Sequence, residues 1–488
     1  MNQKKDNFWA SPLAQSFVKT DEVKLPEKLF GYFIGPFGAL LSSGIFTSML
    51  QQYFTDVLKL NLSFLTGLQL VSTILIVAAN LVVGQLIERT KVLAGKARPW
   101  ILLSALTMSI GSVLMFIVPF QGAARMVWIA IAYNLYYAVA YPIYNTANAT
   151  LIPVSTRDSK KRSSLASLTN VAGLGVMGAG SMVFPILVSF ALKENQHLWF
   201  VAMLAVAIFT ALTAFLQYKF TRERVTEEGM GSSAAESRVA ETASLKQQLK
   251  AVTSEKWWWI TILFYLCFHW AGAMKNSSMA YFCKWVIDNS FFGSADAWGA
   301  SQSLLAIMGA VPMAIAAVFV VPLSNKFSKR KVVIVGALVG VIGGLIAGFS
   351  GSNIVGIAIG VAVKCLGSAP ACYLILAMLA DVIEHIEYTS GIRTDGLTMS
   401  IYSSLMVAAT PICNAILSAI LGAAGYDQTA IVGQVAQPAG VQAAISTSYI
   451  WVETIGFGIC AALIFLWTVE KNLPEEQAAI HARKEKKN

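Results

Sequence analysis

Long apolar runs alternate with short polar turns along almost the whole chain. Each run extends over about 20 residues or more, the length at which a helix rising about 1.5 Å per residue crosses a bilayer core. The pattern predicts twelve spans, at 29–54, 62–88, 99–119, 125–152, 164–193, 197–219, 257–288, 296–324, 331–351, 353–385, 395–424 and 446–470. The short alternating segments of a membrane β-barrel do not dominate. The expected fold class is therefore an all-α polytopic membrane protein. One stretch interrupts the pattern. Residues 220–256, FTRERVTEEGMGSSAAESRVAETASLKQQLKAVTSEK, are polar, with Gly and Ser near the centre. They predict a long linker, with a short surface helix in the second part. The chain then divides into an N-terminal segment 1–28, a six-helix half 29–219, the linker 220–256, a second six-helix half 257–470 and a tail 471–488.

Composition agrees with the pattern. Of 488 residues, 56% are hydrophobic and 13% charged, and mean hydropathy is +0.62. A soluble chain carries about 25% charge. The net charge of +10 would suit nucleic acid, but its placement argues otherwise. Basic residues gather in the turns after spans two, four and eight: Arg89, Lys91, Lys96 and Arg98; Arg157, Lys160, Lys161 and Arg162; Lys326, Lys329, Arg330 and Lys331. The opposite turns hold little beyond Lys59, Arg125, Lys193 and Lys284. Lys and Arg are retained on the cytoplasmic side, so both termini are expected there, in an inner-membrane protein without nucleic-acid partners. The polar first 28 residues lack a cleavable signal pattern. The six cysteines are scattered and form no C-x-x-C pair, so no metal site, cofactor or disulfide framework is indicated.

Six spans, a linker and six spans match the major facilitator plan, in which two repeated halves rock around a midplane site. The basic turns ERTKVLAGKARPW and SNKFSKRKVV stand at equivalent places in the two halves. Four motifs narrow the family: YFTDV at 53–57, GKARPW at 95–100, LIPVSTRDSKKR at 151–162 and ADVIEHIEYTSGIRTDG at 380–396. Together they resemble the glycoside–pentoside–hexuronide symporters. The resemblance implies secondary transport of glycosides coupled to a cation. It also implies two aspartates in span two, and their positions hold Ile76 and Asn80 here. Hard cations take oxygen ligands, and a proton carrier must titrate. Ile76 does neither, and Asn80 brings no charge. The family's sugar-contacting acids in spans one and four fall on Leu40 and Asn145. Its arginine in span five falls on Asn170, and its lysine in span eleven near Val407.

Charges deep in membrane helices are functional candidates by default. Lys275 lies about halfway along span seven, with His269 almost two turns earlier, and Lys364 lies in the outer half of span ten. Two such lysines suggest an anion receptor, holding a carboxylate or phosphate by charge-assisted hydrogen bonds. A lysine standing as a fixed charge in a vacated cation site is the rival reading. The first half offers amides and phenols instead. Tyr137, Tyr141, Tyr144, Asn145 and Asn148 share a face on an ideal helix, which Pro142 is placed to kink. Amides that read hydroxyls and rings that stack on a sugar make Tyr137, Tyr141, Asn145 and Asn170 candidate contacts; inter-helix packing is the plain alternative. Glu453, roughly two turns inside span twelve, is a candidate protonation site. Arg89, Lys96 and Arg98 in the first basic turn, and Asp381 near Arg393 and Asp395, are candidate gating charges. The glycines of GALVGVIGG at 336–344 point to close helix packing.

These observations lead to the expectation of a monomeric alternating-access transporter, not an enzyme. Its substrate is expected to be a small glycoside with an acidic group, such as a hexuronide. Proton coupling or facilitated diffusion is favoured over sodium. The rivals are a transporter of an amphiphilic organic anion, such as a steroid- or lipid-like conjugate, and a non-transporting receptor on the same scaffold.

Overall fold

The computed structural model describes residues 9, 11, 14–90, 92–156, 158–231, 245–392 and 394–485. Among the described residues there are twelve long helices and no strand. They are α1 (Glu27–Leu50), α2 (Leu62–Arg89), α3 (Arg98–Leu114), α4 (Gly122–Ser155), α5 (Ser164–Leu192) and α6 (Gln196–Lys219). In the second half they are α7 (Lys256–Trp285), α8 (Trp298–Phe327), α9 (Lys329–Phe349), α10 (Ile354–Ser390), α11 (Asp395–Ala424) and α12 (Ala439–Lys471). Ten are long and apolar enough to cross a membrane, and α3 is apolar but shorter. In α7, tryptophans, His269 and lysines dilute the hydropathy. The chain is a multi-pass membrane protein.

Two compact units divide it, Met1–Ser237 and Arg238–Asn488. Linker residues 220–227, expected to be part of a tether, belong structurally to the first unit. The Arg224 guanidinium makes a fork-on-fork pair with buried Glu27, at 2.9 and 2.7 Å. Arg222 pairs with Glu227 at 2.8 Å, and that bond raises its already high pKa. The expected surface helix lies at Leu245–Thr253.

Each unit closes its basic face with the same device. Just past α6, the Glu223 carboxylate accepts the backbone N–H groups of Lys96, Ala97 and Arg98, at 2.7, 2.8 and 2.8 Å. Those are orphan donors at the start of α3, where the helix dipole also favours a negative charge. Gly95 has φ +109°, and a Cβ there would meet the Glu223 carboxylate. Arg98 is buried and turns its guanidinium to the carbonyls of Tyr218 and Ala94, over the Tyr218 ring at 4.6 Å. In the second unit, Glu470 accepts the N–H groups of Lys329 and Arg330 at the start of α9, at 3.0 and 3.2 Å. Arg330 turns to the carbonyls of Ile464 and Phe465, over the Phe465 ring at 5.4 Å.

Small residues set the helix contacts. The glycines of α9 face α10 and α12: a Cβ on Gly336 would meet the backbone of Gly367, one on Gly343 the backbone of Lys364 and Gly360, and one on Gly344 the side chain of Thr454. Without a hydrophobic drive between helices in lipid, close backbone approach supplies the packing. The core of this unit runs through Trp258, Tyr265, Leu374, Met378, Ile464 and Trp467.

Span twelve departs most from its expected boundaries. It starts at Ala439, behind Pro438 as N-cap, rather than at 446. The added segment AGVQAAIS is rich in Ala and contains Gln, both good helix formers. A wide π turn at Thr447–Trp451 follows.

Two measurements test this packing. Glu223→Ala leaves three N–H groups without their carboxylate, and should destabilise the protein by about 2 kcal/mol or more, read as a clear fall in melting temperature in detergent. Gly343→Ala should cost about 1–3 kcal/mol by overpacking. Gly272→Ala, where a Cβ meets nothing within 4 Å, should leave the melting temperature unchanged.

Candidate functional site

The charges at mid-depth gather in one cluster in the second unit. Glu453 on α12 bridges two lysines: Oε1 lies 3.0 Å from Lys275 Nζ on α7, and Oε2 lies 2.7 Å from Lys364 Nζ on α10. Glu453 sits roughly four turns into α12, and each lysine about 15 Å from the nearer end of its own helix, Trp285 for Lys275 and Ile354 for Lys364. The earlier start of α12 puts Glu453 level with the lysines rather than two turns from the end. The π turn just before it shifts the helix register, as such turns frequently do at functional sites.

The two arms differ. The Lys364 side chain is 0% exposed, and its ammonium lies 5.7 Å from the centre of the Tyr449 ring. Its backbone lies against Gly343. The Lys275 side chain retains 19% exposure. Fully ionised, the cluster carries one net positive charge. Unit charges 4 Å apart interact by about 4 kcal/mol at an effective dielectric near 20. One carboxylate therefore offsets one ammonium, and the second is held by geometry. Breaking such a buried pair costs about 3–5 kcal/mol, because a partner is left uncompensated.

Lys275 and Lys364, expected either as an anion receptor or as fixed charges in a vacated cation site, share a carboxylate within the protein. His269 stands apart, packed on the Tyr265 ring at 4.4 Å.

In the first unit the expected tyrosine face of α4 divides in two. Tyr144 donates to Gln217 Oε1 at 2.7 Å, and Gln217 Nε2 donates to Asn148 Oδ1 at 2.7 Å, so this pair is spent on α6. Tyr136 is bonded to Ser42 at 2.8 Å. Tyr137, Tyr141 and Asn145 follow one another at four-residue spacing and are half-buried; Asn170 on α5 is exposed. A π turn at Leu135–Ala140 precedes Pro142, and the helix is regular from Tyr141 to Ser155, so the residues beyond the turn keep one register and are divided by Gln217, which takes up Tyr144 and Asn148. On α2, Ile76 is buried, and Asn80 donates to the Ile76 carbonyl at 2.8 Å.

Three of the candidate gating charges, Lys96, Arg98 and Asp381, are engaged within their own units. Arg98 is held as described, Lys96 pairs with Glu88 at 2.5 Å, and Arg89 is exposed. Asp381 pairs with Lys329 at 2.6 Å. Lys91, Arg157 and Arg393 lie outside the described residues, as does the Asp395 side chain. Among the described residues, no three His, Cys, Asp or Glu side chains are arranged to hold a metal.

The capping glutamates escaped the sequence reading, although a signal exists. T-R-E-R at 221–224 and T-V-E-K at 468–471 close the two halves with the same spacing.

Residues 31–471 match the family described as MFS/sugar transport protein. An isoprimeverose transporter of Lactiplantibacillus pentosus is 28% identical over 98% of this chain and 96% of its own length. A glucuronide carrier protein homolog of Escherichia coli (strain K12) is 22% identical over 90% of this chain and 91% of its own. Among solved structures, the nucleoside transporter NupG superposes with a TM-score of 0.61 at 13% identity, covering 90% of this chain and 98% of that one. A bacterial homolog of the lysosomal transporter Spinster gives 0.63 at 14% identity, covering 93% and 99%. These likenesses confirm the transporter fold, and the sequence match over most of the chain places it: the protein belongs to the MFS/sugar transport family of membrane transporters.

Proposed function

We propose that this transporter carries a small neutral glycoside of about disaccharide size, by alternating access, as a monomer with both termini in the cytoplasm. The single observation behind the choice of a neutral solute is the shared carboxylate. An acidic glycoside or an amphiphilic anion needs an unclaimed cation, and Lys275 and Lys364 are both ion-paired with Glu453. Tyr137, Tyr141 and Asn145 then serve as uncharged contacts, rings against a sugar face and an amide to its hydroxyls, with Asn170 as a further amide. The isoprimeverose transporter among the relatives supports a neutral sugar. The asymmetry between the termini and the opposite turns in Lys and Arg supports the orientation.

A second reading, an acidic glycoside, draws on the excess positive charge of the cluster and the exposure of Lys275. The glucuronide carrier homolog supports it.

Uptake into proteoliposomes separates the two. Radiolabelled isoprimeverose should enter, unlabelled lactose should compete, and phenyl glucuronide should compete poorly. Asn145→Ala should raise KM about tenfold, the equivalent of one lost hydrogen bond of about 1.4 kcal/mol. Strong competition by the glucuronide that Lys275→Ala abolishes would favour the acidic reading. No uptake of or competition by any glycoside would overturn both.

A further inference from the structure

A membrane carrier driven by sodium or protons needs a group inside the membrane that takes up the cation and gives it back. Carboxylates do this best, because hard cations want charged oxygen ligands and a proton needs a titratable site. From Leu62 to Ile87, α2 contains no ionisable side chain. The acids at helix ends are engaged: Glu27 with Arg224, Glu88 with Lys96 and Asp381 with Lys329. Asp56, in the π turn Tyr53–Val57 beyond α1, accepts from Thr55. Among the described residues, the acid at mid-depth is Glu453, and both its oxygens face ammonium groups carried by the chain itself.

We infer that Lys275 and Lys364 are tethered replacements for a coupling cation at Glu453, and that the protein equilibrates or exchanges its solute without sodium or proton symport. The groups packed around the carboxylate support this. Lys275 approaches from α7 and Lys364 from α10, the Tyr449 ring lies over Lys364, and α9 closes the cluster with the bare backbone of Gly343 beside Lys364. A sodium ion arriving at Glu453 meets one negative and two positive charges, so its net interaction is repulsive. A proton placed on Glu453 leaves two ammoniums without a counter-charge. Neither loading step is favourable while both lysines stay charged. The inference rests on the transporter family and not on the identity of the sugar.

The test has one arm that needs no sugar. Melting of the purified protein is followed in NaCl, KCl and choline chloride at equal ionic strength, and across pH 5–8. Wild type should show no saturable stabilisation by sodium. Its change in melting temperature across pH 5–8, to which Asp381 contributes, should be the same once Lys275, Lys364 and Glu453 are all replaced. The variant K275M/K364M leaves the carboxylate alone, and should gain a rise of several degrees with sodium or at low pH. Adding Glu453→Leu to it removes all three charges together and should abolish that gain. In the second arm, wild-type proteoliposomes should exchange radiolabelled isoprimeverose in counterflow and reach equilibrium only, with no accumulation under an inward sodium or proton gradient. Saturable sodium stabilisation of wild type overturns the inference. So does several-fold gradient-driven accumulation. A folded double variant that gains no cation dependence overturns it too. If K275M/K364M does not fold, the wild-type melting result decides by itself. Absence of isoprimeverose exchange would count against the sugar reading, and the melting arm would still decide the coupling.

Discussion

A charge inside a membrane helix has to travel with its counter-charge. That rule organises the second unit of this protein. Three helices contribute to one ion cluster, and the cluster forms only where α7, α10 and α12 meet at a common depth. Moving Glu453 along α12 by even one turn, about 5.4 Å, would strand two ammoniums in a low-dielectric setting. The packing around it therefore has little freedom. The glycines of α9 bring its backbone onto Lys364 and Gly360, and the π turn at Thr447–Trp451 sets the register of the helix that carries the carboxylate.

The same rule works differently at the basic faces. There, backbone groups are the unsatisfied partners, and a single carboxylate serves two or three of them. Glu223 and Glu470 act on α3 and α9, and Arg98 and Arg330 bind carbonyls at the ends of α6 and α12. The two units thus repeat a physical arrangement more faithfully than their sequences suggest. The first unit spends its mid-depth polarity on amides and phenols instead of charges. Tyr144, Gln217 and Asn148 form a closed chain of hydrogen bonds, leaving Tyr137, Tyr141 and Asn145 as the half-buried row.

Most of the helical architecture was readable from hydropathy, because a membrane demands about 20 apolar residues in a row and the chain meets that demand plainly. The six-plus-six division followed from residues 220–256. What escaped was long-range or register-dependent. Glu453 lies deeper than its expected place two turns from a helix end, because α12 begins at Ala439, directly behind Pro438. The face of α4 is divided by Gln217 on α6, which takes up Tyr144 and Asn148 and is linked to them by no local spacing. The lysines were recognised as costly buried charges but not as partners of one acid, since no local spacing links position 275 or 364 to 453. Arg98 was legible as a basic turn residue, yet its bonds reach Tyr218, far along the chain.

The capping carboxylates also say something about how the protein is made. Translation delivers α3 long before Glu223 and α9 long before Glu470, so each helix enters the membrane with its first N–H groups uncapped. The last residues of each half supply the missing acceptor. Membrane insertion of a half and its final closure are thus separate events in time. A ribosome pausing between positions 330 and 470 leaves behind a second half whose turn into α9 is still open to water, to proteases and to the wrong partner.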